Sequence, residues 1–224
     1  MHQRKSKKSL VYIFFLLIFS SINNNTINNL NFIKTQNINI HGLNEQDNKS
    51  LLNEFKNLNL ENIFSINKNE IVKLINSNSL IEKYEVFKKY PSTIDIKIEK
   101  TNFLAKINKN GKIYLIGSNG KLTLNKSGYV ELPYIFGNPN INEFLKLKKI
   151  IDKSEFSYDQ IKKLYFFPLN RWDLKLKEDI LLKLPSNYTY ETLDHLKEFL
   201  ESYDDKKSVN IIDARIKNQI ILNE

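Results

Sequence analysis

Cysteine is absent from all 224 residues of the chain. Disulfide bonds, thiolate nucleophiles and cysteine-ligated metal sites are therefore excluded. A domain exported to an oxidising compartment can fold without disulfides, and many cytosolic proteins also lack cysteine. The absence removes several kinds of chemistry, but it assigns no compartment.

The motifs that accompany catalysis or cofactor binding are missing as well. The chain has no Gly-x-Gly-x-x-Gly, no P-loop and no Gly-x-Ser-x-Gly sequence. Its three histidines, His2, His41 and His195, are far apart and have no metal-ligand partner at a useful spacing. The pair Asp204-Asp205 falls at a predicted helix end, as expected of a solvated turn. We therefore expect a protein that is not an enzyme and that binds no cofactor or metal.

Acidic residues are too few to balance the basic ones, and the formal net charge is +9. Such a charge is typical of proteins that bind nucleic acid or an anionic lipid surface. The lysines, however, are interleaved with Asp and Glu, and Asn, Ile and Lys are over-used together, as an AT-rich genome favours. We expect no nucleic-acid partner, and a basic cytosolic protein that binds nucleic acid is kept as an alternative.

Long apolar runs are lacking apart from one near the N-terminus. Four basic residues between positions 4 and 8 precede the uncharged segment 10–22. A basic flank keeps its end of an apolar segment in the cytoplasm, so residues 1–9 are predicted to be a cytoplasmic tail and the later residues to be exported. Thirteen helical residues span roughly 20 Å, less than the ~30 Å hydrocarbon core of a bilayer.

The short segment 10–22 leaves two interpretations open. A retained anchor could continue into the Asn-rich tether 23–37 and thin the bilayer locally. A signal peptide of this length would be cleaved near Ser21, although Phe19 fits a small-residue cleavage site poorly. We favour the anchor over the cleaved signal, and a buried helix of a cytosolic domain is a third reading.

Residues 38–101 show the pattern of a small β-α-α-β-β domain. The predicted elements are a strand at Ile38–Ile40 that stops at Gly42, helices over Glu45–Leu58 and after Asn67, and strands at Tyr84–Lys89 and Ile94–Glu99. Asn67 is a predicted N-cap, with Glu70 placed to reach back to it. A sheet with two helices on one face is the expected core.

Residues 102–224 are predicted to form a mostly antiparallel sheet with helices on one face. Asn110-Gly111 lies between two apolar runs and predicts a tight hairpin, because both residues tolerate positive φ. The remaining predicted elements are helices at Pro139–Ile151 and Tyr190–Tyr203 and strands at Ile161–Phe167, Arg171–Leu176, Ile180–Leu184, Val209–Ile212 and Ile216–Leu222. The fold class is therefore α+β, with a membrane anchor followed by two small domains.

A series of short motifs follows one order along the chain. They are Ile38–Gly42, Asn62–Phe64, Tyr90–Glu99, Leu132-Pro133 with Gly137, Arg171–Leu176, Leu184-Pro185 and Asp213–Arg215. Each motif is weak alone, but their order resembles that of the FtsQ/DivIB family of bacterial cell-division proteins. The segment Glu99–Ala105 departs from the family pattern, because it lacks the usual Arg and Pro.

The resemblance implies a scaffold of the division machinery. The domain at 38–101 would then be a POTRA domain, and 102–224 would be the FtsQ-type β domain. Such proteins cross the inner membrane once, expose their domains to the periplasm, gather at the division septum and recruit FtsB and FtsL to help control septal peptidoglycan synthesis. The rival from another class is a secreted or periplasmic protein-binding domain unrelated to division.

The predicted binding site is the last strand and the two arginines near it. A terminal strand with unpaired N–H and C=O groups is a template for a strand of a partner. A guanidinium beside such an edge can bind a partner carboxylate through two hydrogen bonds. The predicted partner-binding residues are Arg171, Arg215, Ile216, Asn218, Ile220 and Leu222.

Overall fold

A computed structural model describes residues 7–22, 37–58, 67–125, 131–203, 209–216 and 219–223. The chain divides into two compact units. The first unit contains residues up to 75 together with 84–98, and the second contains 76–83 together with 99 onward.

The N-terminal helix α1 covers Lys7–Ile22. Its side chains from Leu10 to Phe19 are all exposed. Across the ranges described, no helix has both the length and the apolar character needed to cross a membrane. The segment 10–22 lies within this helix, and its role as an anchor stays a prediction.

The elements described between residues 37 and 100, most of which belong to the first unit, follow the predicted order β-α-α-β-β. They are β1 (Asn37–His41), α2 (Glu45–Lys56), α3 (Lys68–Ser77), β2 (Ile81–Lys89) and β3 (Thr93–Lys100). Asn67 Oδ1 accepts a hydrogen bond from the backbone N–H of Asn69 at 3.0 Å, and its amide donates to Glu70 Oε1 at 3.1 Å. The predicted cap of α3 is therefore confirmed, whereas β2 begins three residues before the predicted Tyr84.

The sheet of the first unit has the order β1-β3-β2, with β3 in the centre. β1 runs parallel to β3, which the two intervening helices allow because a parallel pair needs a long crossover. Alternation along β3 puts one set of side chains toward the helices. The buried set is Ile94, Ile96 and Ile98 from β3 with Leu51, Phe55, Ile71 and Ile75 from the helices.

Among the described residues, the second unit contains nine strands and two longer helices. The strands are β4 (Phe103–Lys109), β5 (Lys112–Gly117), β6 (Leu122–Leu124), β7 (Tyr134–Phe136), β8 (Ile161–Phe167), β9 (Arg171–Leu176), β10 (Leu181–Lys183), β11 (Ile211–Asp213) and β12 (Ile221–Asn223). The helices are α4 (Ile141–Lys153) and α5 (Tyr190–Ser202).

The strands form one sheet in the order β12-β11-β10-β9-β8-β7-β4-β5-β6. Five neighbouring pairs are antiparallel, and the pairs β4–β7, β7–β8 and β10–β11 are parallel. Two of the parallel pairs are joined through α4 and α5, which supply the crossovers that such pairs need. The predicted mostly antiparallel sheet is therefore confirmed, with three exceptions.

One face of the sheet carries the core. The inward residues Ile135, Leu164, Leu174, Leu182 and Ile212 face one another across five strands and are at most 1% exposed. They pack in one cluster with Phe144, Leu147 and Ile151 of α4 and Leu193 and Leu196 of α5. The other face of the sheet, called the outer face below, is opposite these helices.

The predicted strand Ile216–Leu222 is wrong in its extent. Ile216 lies in a bend, Ile220 lies outside any strand, and β12 begins only at Ile221. The backbone N–H of Gln219 donates to Ile216 O at 3.2 Å, so Ile216 is not paired as part of a strand that continues into β12. The predicted strand Val209–Ile212 is likewise shifted, because β11 covers Ile211–Asp213.

Candidate partner-binding edge

The last strand of the chain lies at an open edge of the nine-stranded sheet. β12 pairs antiparallel with β11, and Ile211, Ile212 and Asp213 face Asn223, Leu222 and Ile221. Its other side has no neighbour among the described strands. One row of backbone donors and acceptors is thus available to a further strand.

Side chains along β12 alternate between the two faces. Leu222 faces inward, is half-buried and packs against the core cluster. Ile221 lies on the outer face and is 47% exposed. The core therefore holds the register of β12, because a slip by one residue would expose Leu222 and bury Ile221.

Arg215 forms an ion pair with Asp213 beside this edge. Its Nε donates to both carboxylate oxygens of Asp213, at 2.8 and 2.9 Å. The backbone N–H of Arg215 also donates to Asp213 Oδ1 at 3.1 Å. The hydrogen bond from the Arg215 guanidinium is the main reason that the pKa of Asp213 lies below its usual value. Most of the bidentate capacity of Arg215 is therefore used within the chain.

Arg171 is held in a different way. Its guanidinium carbon lies 4.3 Å from the centre of the Phe167 ring, within the range of a cation–π interaction. Its Nε is 3.7 Å from Asp173 Oδ1, which is too long for a hydrogen bond. Neither of these two buried atoms has a hydrogen-bond partner among the described residues. Arg171 thus carries unused hydrogen-bonding capacity.

Asp173 is a buried carboxyl group on the outer face, where its residue is only 4% exposed. It lies opposite Lys183 of β10, which in turn lies opposite Asp213 of β11. Burial raises the pKa of Asp173, and the nearby charges of Arg171 and Lys183 oppose that rise. A row of alternating charge therefore crosses three strands and ends beside β12.

The predicted site residues are only partly brought together. Arg171 and Arg215 both border this charged row. Leu222 is turned toward the core, while Ile216 and Ile220 are 51% and 37% exposed outside the strand. Asn218 lies outside the described residues.

Four residues of this edge were missed by the sequence analysis, namely Asp173, Lys183, Asp213 and Ile221. Asp173 lies between the buried residues Trp172 and Leu174 in the strand, and this alternation indicates that the Asp173 side chain points to the opposite face of the sheet. The pairing of Asp173 with Lys183, however, depends on the register between strands, which no single segment encodes. Among the residues that the structure describes, no group of three His, Asp or Glu could hold a metal ion.

Two family models match residues of this chain, one in each predicted domain. The model of the POTRA domain, FtsQ-type, matches residues 33–100. The model of the C-terminal part of cell division protein FtsQ/DivIB matches residues 103–215, half of the chain. The chain belongs to the FtsQ/DivIB family. The resemblance drawn from the ordered motifs is thereby confirmed.

Individual relatives of the FtsQ/DivIB family are distant. Cell division protein FtsQ of Rickettsia bellii (strain RML369-C) is 25% identical over 171 residues, which are 73% of this chain. The chain spans 61% of the length of that curated relative. The major extracytoplasmic domain of DivIB from Geobacillus stearothermophilus, in its trans isomer, is 10% identical and has a TM-score of 0.36. That likeness covers 47% of this chain and 96% of the DivIB domain.

Proposed function

We propose that this chain is a non-enzymatic scaffold of bacterial cell division that binds a partner by adding a strand to β12. The partner is an FtsB-like or FtsL-like division protein, as membership of the FtsQ/DivIB family suggests. Through such partners the chain would link earlier division proteins to septal peptidoglycan synthesis. The open edge of β12 is the observation that carries the proposal.

Three features of the second unit support edge pairing. The free backbone groups of β12 supply hydrogen bonds that do not depend on side chains. Exposed Ile221 supplies an apolar contact next to those groups. Arg215 supplies positive charge beside β12, whereas Arg171 lies on β9, three strands from β12, and meets a partner that also extends across the outer face. β12 lies beyond the matched residues 103–215, so its place in the sheet, and not the family match, supports this role.

The location proposed for the protein follows from the basic residues before the apolar segment 10–22. The positive flank keeps the N-terminus in the cytoplasm, and the domains at 38–101 and 102–224 would lie in the periplasm. The apolar helix α1 (Lys7–Ile22) would hold the chain in the inner membrane as a single-pass protein. Enrichment at the division septum would follow from its partners.

Calorimetry with the periplasmic segment of an FtsB-like partner tests the proposal. Ile221→Pro removes one backbone donor and fixes φ, so it either removes a hydrogen bond to the partner or releases β12 from β11. We expect binding to be lost. Ile221→Thr is the matched control, because threonine keeps the N–H and a β-branched side chain, and its affinity should stay within about threefold. The circular dichroism spectrum of the Ile221→Pro variant must match that of the parent protein, so that the loss of affinity does not reflect unfolding. Folded Ile221→Pro protein that binds like the parent would exclude β12.

The same titration separates the roles of the two arginines. Arg215 is already paired with Asp213, whereas the Nε of Arg171 has no hydrogen-bond partner among the described residues. Truncation of Arg171 to Ala should therefore weaken binding more, by about 1.5–3 kcal/mol if it meets a charged group. An Arg215→Ala variant that loses more affinity than Arg171→Ala would contradict this assignment.

A further inference from the structure

The outer face of the sheet carries a second feature, well away from β12. Tyr134 and Phe136 of β7 lie opposite Lys163 and Tyr165 of β8. These four residues are called the aromatic patch. The strands β9, β10 and β11 separate β8 from β12, a distance of about 19 Å at the usual strand spacing. The aromatic patch is therefore separate from β12, although Tyr165 lies opposite Asp173, the first residue of the charged row.

The rings of the aromatic patch are packed against one another. The Tyr134 and Phe136 ring centres are 4.7 Å apart, and those of Phe136 and Tyr165 are 5.0 Å apart with the planes at 15°. Phe136 is nevertheless 40% exposed. A sheet with one solvated face normally carries polar side chains on that face. A contiguous aromatic ladder there marks a surface that gains from being covered.

The stacking geometry favours one kind of occupant. Sugars and nucleobases bind aromatic side chains through a free ring face. Phe136 turns one ring face toward Tyr165, and Lys163 Nζ lies over its ring, so Phe136 mainly offers its ring edge to a ligand. A ring edge suits the aliphatic side chains of a polypeptide.

The charges around the aromatic patch determine which kind of polypeptide it would favour. Asp173 of β9 lies opposite Tyr165, but its residue is only 4% exposed. The strands β8, β7, β4, β5 and β6 contain no Asp or Glu. Their charged residues are Lys106, Lys109, Lys112, Lys162 and Lys163. Lys163 Nζ lies 5.7 Å from the centre of the Phe136 ring and makes no ion pair with any described residue. The part of the sheet around the aromatic patch thus favours a negatively charged partner.

We propose that the aromatic patch docks a segment of another protein in which carboxylates flank aliphatic side chains. The aliphatic groups pack against the ring edge of Phe136, and one carboxylate binds the ammonium group of Lys163. The ring of Phe136 already holds that ammonium in place, so little side-chain entropy is lost on binding. This surface serves a second contact, independent of strand addition at β12.

Fluorescence anisotropy with the full-length chain in zwitterionic detergent tests the aromatic patch. One labelled probe is a synthetic peptide of Glu, Leu and Ala with leucines at helical spacing, and the other has Lys for every Glu. We expect saturable binding of the acidic peptide, at least about tenfold tighter than that of the basic one. Absence of saturable binding, or equal binding of the two peptides, would overturn the proposal.

Variants locate the binding of the acidic peptide. Lys163→Glu and Phe136→Ser should each weaken it at least about fivefold. Lys112→Glu makes the same charge change three strands away in the sheet and should stay within about twofold. Ile221→Pro should leave the affinity unchanged, which separates this surface from the β12 edge. Variants of the aromatic patch that bind the acidic peptide like the parent protein would overturn the proposal. It would also be overturned if the parent protein bound anionic phospholipid vesicles but not the peptide, and if Lys163→Glu abolished that vesicle binding.

Discussion

At the scale of single residues, two glycines explain motifs that the sequence shares with the FtsQ/DivIB family. Gly42 has φ +118°, and a Cβ there would lie 1.8 Å from the carbonyl oxygen of Ile98. Gly137 has φ +92°, and its Cβ would lie 2.5 Å from the carbonyl oxygen of Phe166. Both positions combine a left-handed backbone with a neighbouring main chain at close range, so only glycine fits.

Asp173 and Asp213 belong to the same charged row but respond oppositely to pH. Burial raises the pKa of Asp173, so the folded protein binds this proton more tightly than the unfolded chain does. Stability is therefore gained as pH falls through the raised pKa toward the unfolded value of about 3.9. The Arg215 hydrogen bond lowers the pKa of Asp213. Its contribution is present above about pH 3.9 and is lost as pH falls through the lowered pKa.

Asparagine substitutions test these two signs. Asp173→Asn should stabilise the second unit by about 1 kcal/mol at neutral pH, because it removes a buried charge whose oxygen lacks a partner. The gain should shrink as pH falls toward about pH 4. Asp213→Asn is the matched control and should destabilise the protein throughout the range from neutral pH to about pH 4. Urea unfolding followed by circular dichroism measures both, and a destabilised Asp173→Asn at neutral pH would contradict the account.

At the scale of elements, two strands were predictable to the residue, and the alternating segment Ile94–Glu99 lies one residue inside β3 at each end. β8 and β9 have the predicted bounds Ile161–Phe167 and Arg171–Leu176. The hairpin at Asn110-Gly111 has the expected positive φ values, 53° and 77°. In each of these cases, side-chain period or turn chemistry is a local property that the sequence displays.

The short strands were not predictable in the same way. β6 and β7 were missed, and β12 was misplaced, because three residues are too few to show a period. β6 and β7 are held by pairing with longer strands, and β12 is held by pairing with the equally short β11, so the existence of all three depends on tertiary contacts. The candidate site has the same limit. Two arginines could be selected from motifs, while the Asp173–Lys183–Asp213 row exists only through register.

The facing of β3 gives an element-scale prediction for the first unit. Ile96 is fully buried against the helices, so Ile96→Asp places an unpaired charge in the core and should unfold this unit, at a cost above about 3 kcal/mol. Lys97, which faces the other way, is the matched control. Lys97→Thr is preferable to a charge reversal, because Lys97 lies near buried Asp95 and over the Phe87 ring. Thermal unfolding should show a large loss for the first variant and a small one for the second, and equal losses would mean that the facing is wrong.

At the scale of the whole molecule, different surfaces have different proposed functions. The helix α1 would hold the chain in the membrane, the β12 edge would add a partner strand, and the aromatic patch would receive an acidic segment. Carboxylates are confined to one half of the outer face, on β9 and β11, while β4 to β8 carry only lysine charges. One sheet can therefore present two surfaces of different charge.

The proposed topology has a direct test in cells. Alkaline phosphatase fused after Glu224 should be active, and the full-length chain should stay with membranes after a carbonate wash, because the basic flank precedes the apolar segment. A fusion lacking residues 10–22 is the control and should be inactive. Release of a shortened soluble product would instead support a cleaved signal peptide.

The most direct test of strand addition is residue-resolved amide hydrogen exchange with and without the periplasmic segment of an FtsB-like partner. Edge pairing predicts that outward amides within Ile221–Asn223 slow at least about tenfold on binding, since new hydrogen bonds protect them. Amides of β6, at the other edge of the sheet, should not change. Protection that appears on the first unit or on the aromatic patch, with β12 unchanged, would contradict the account.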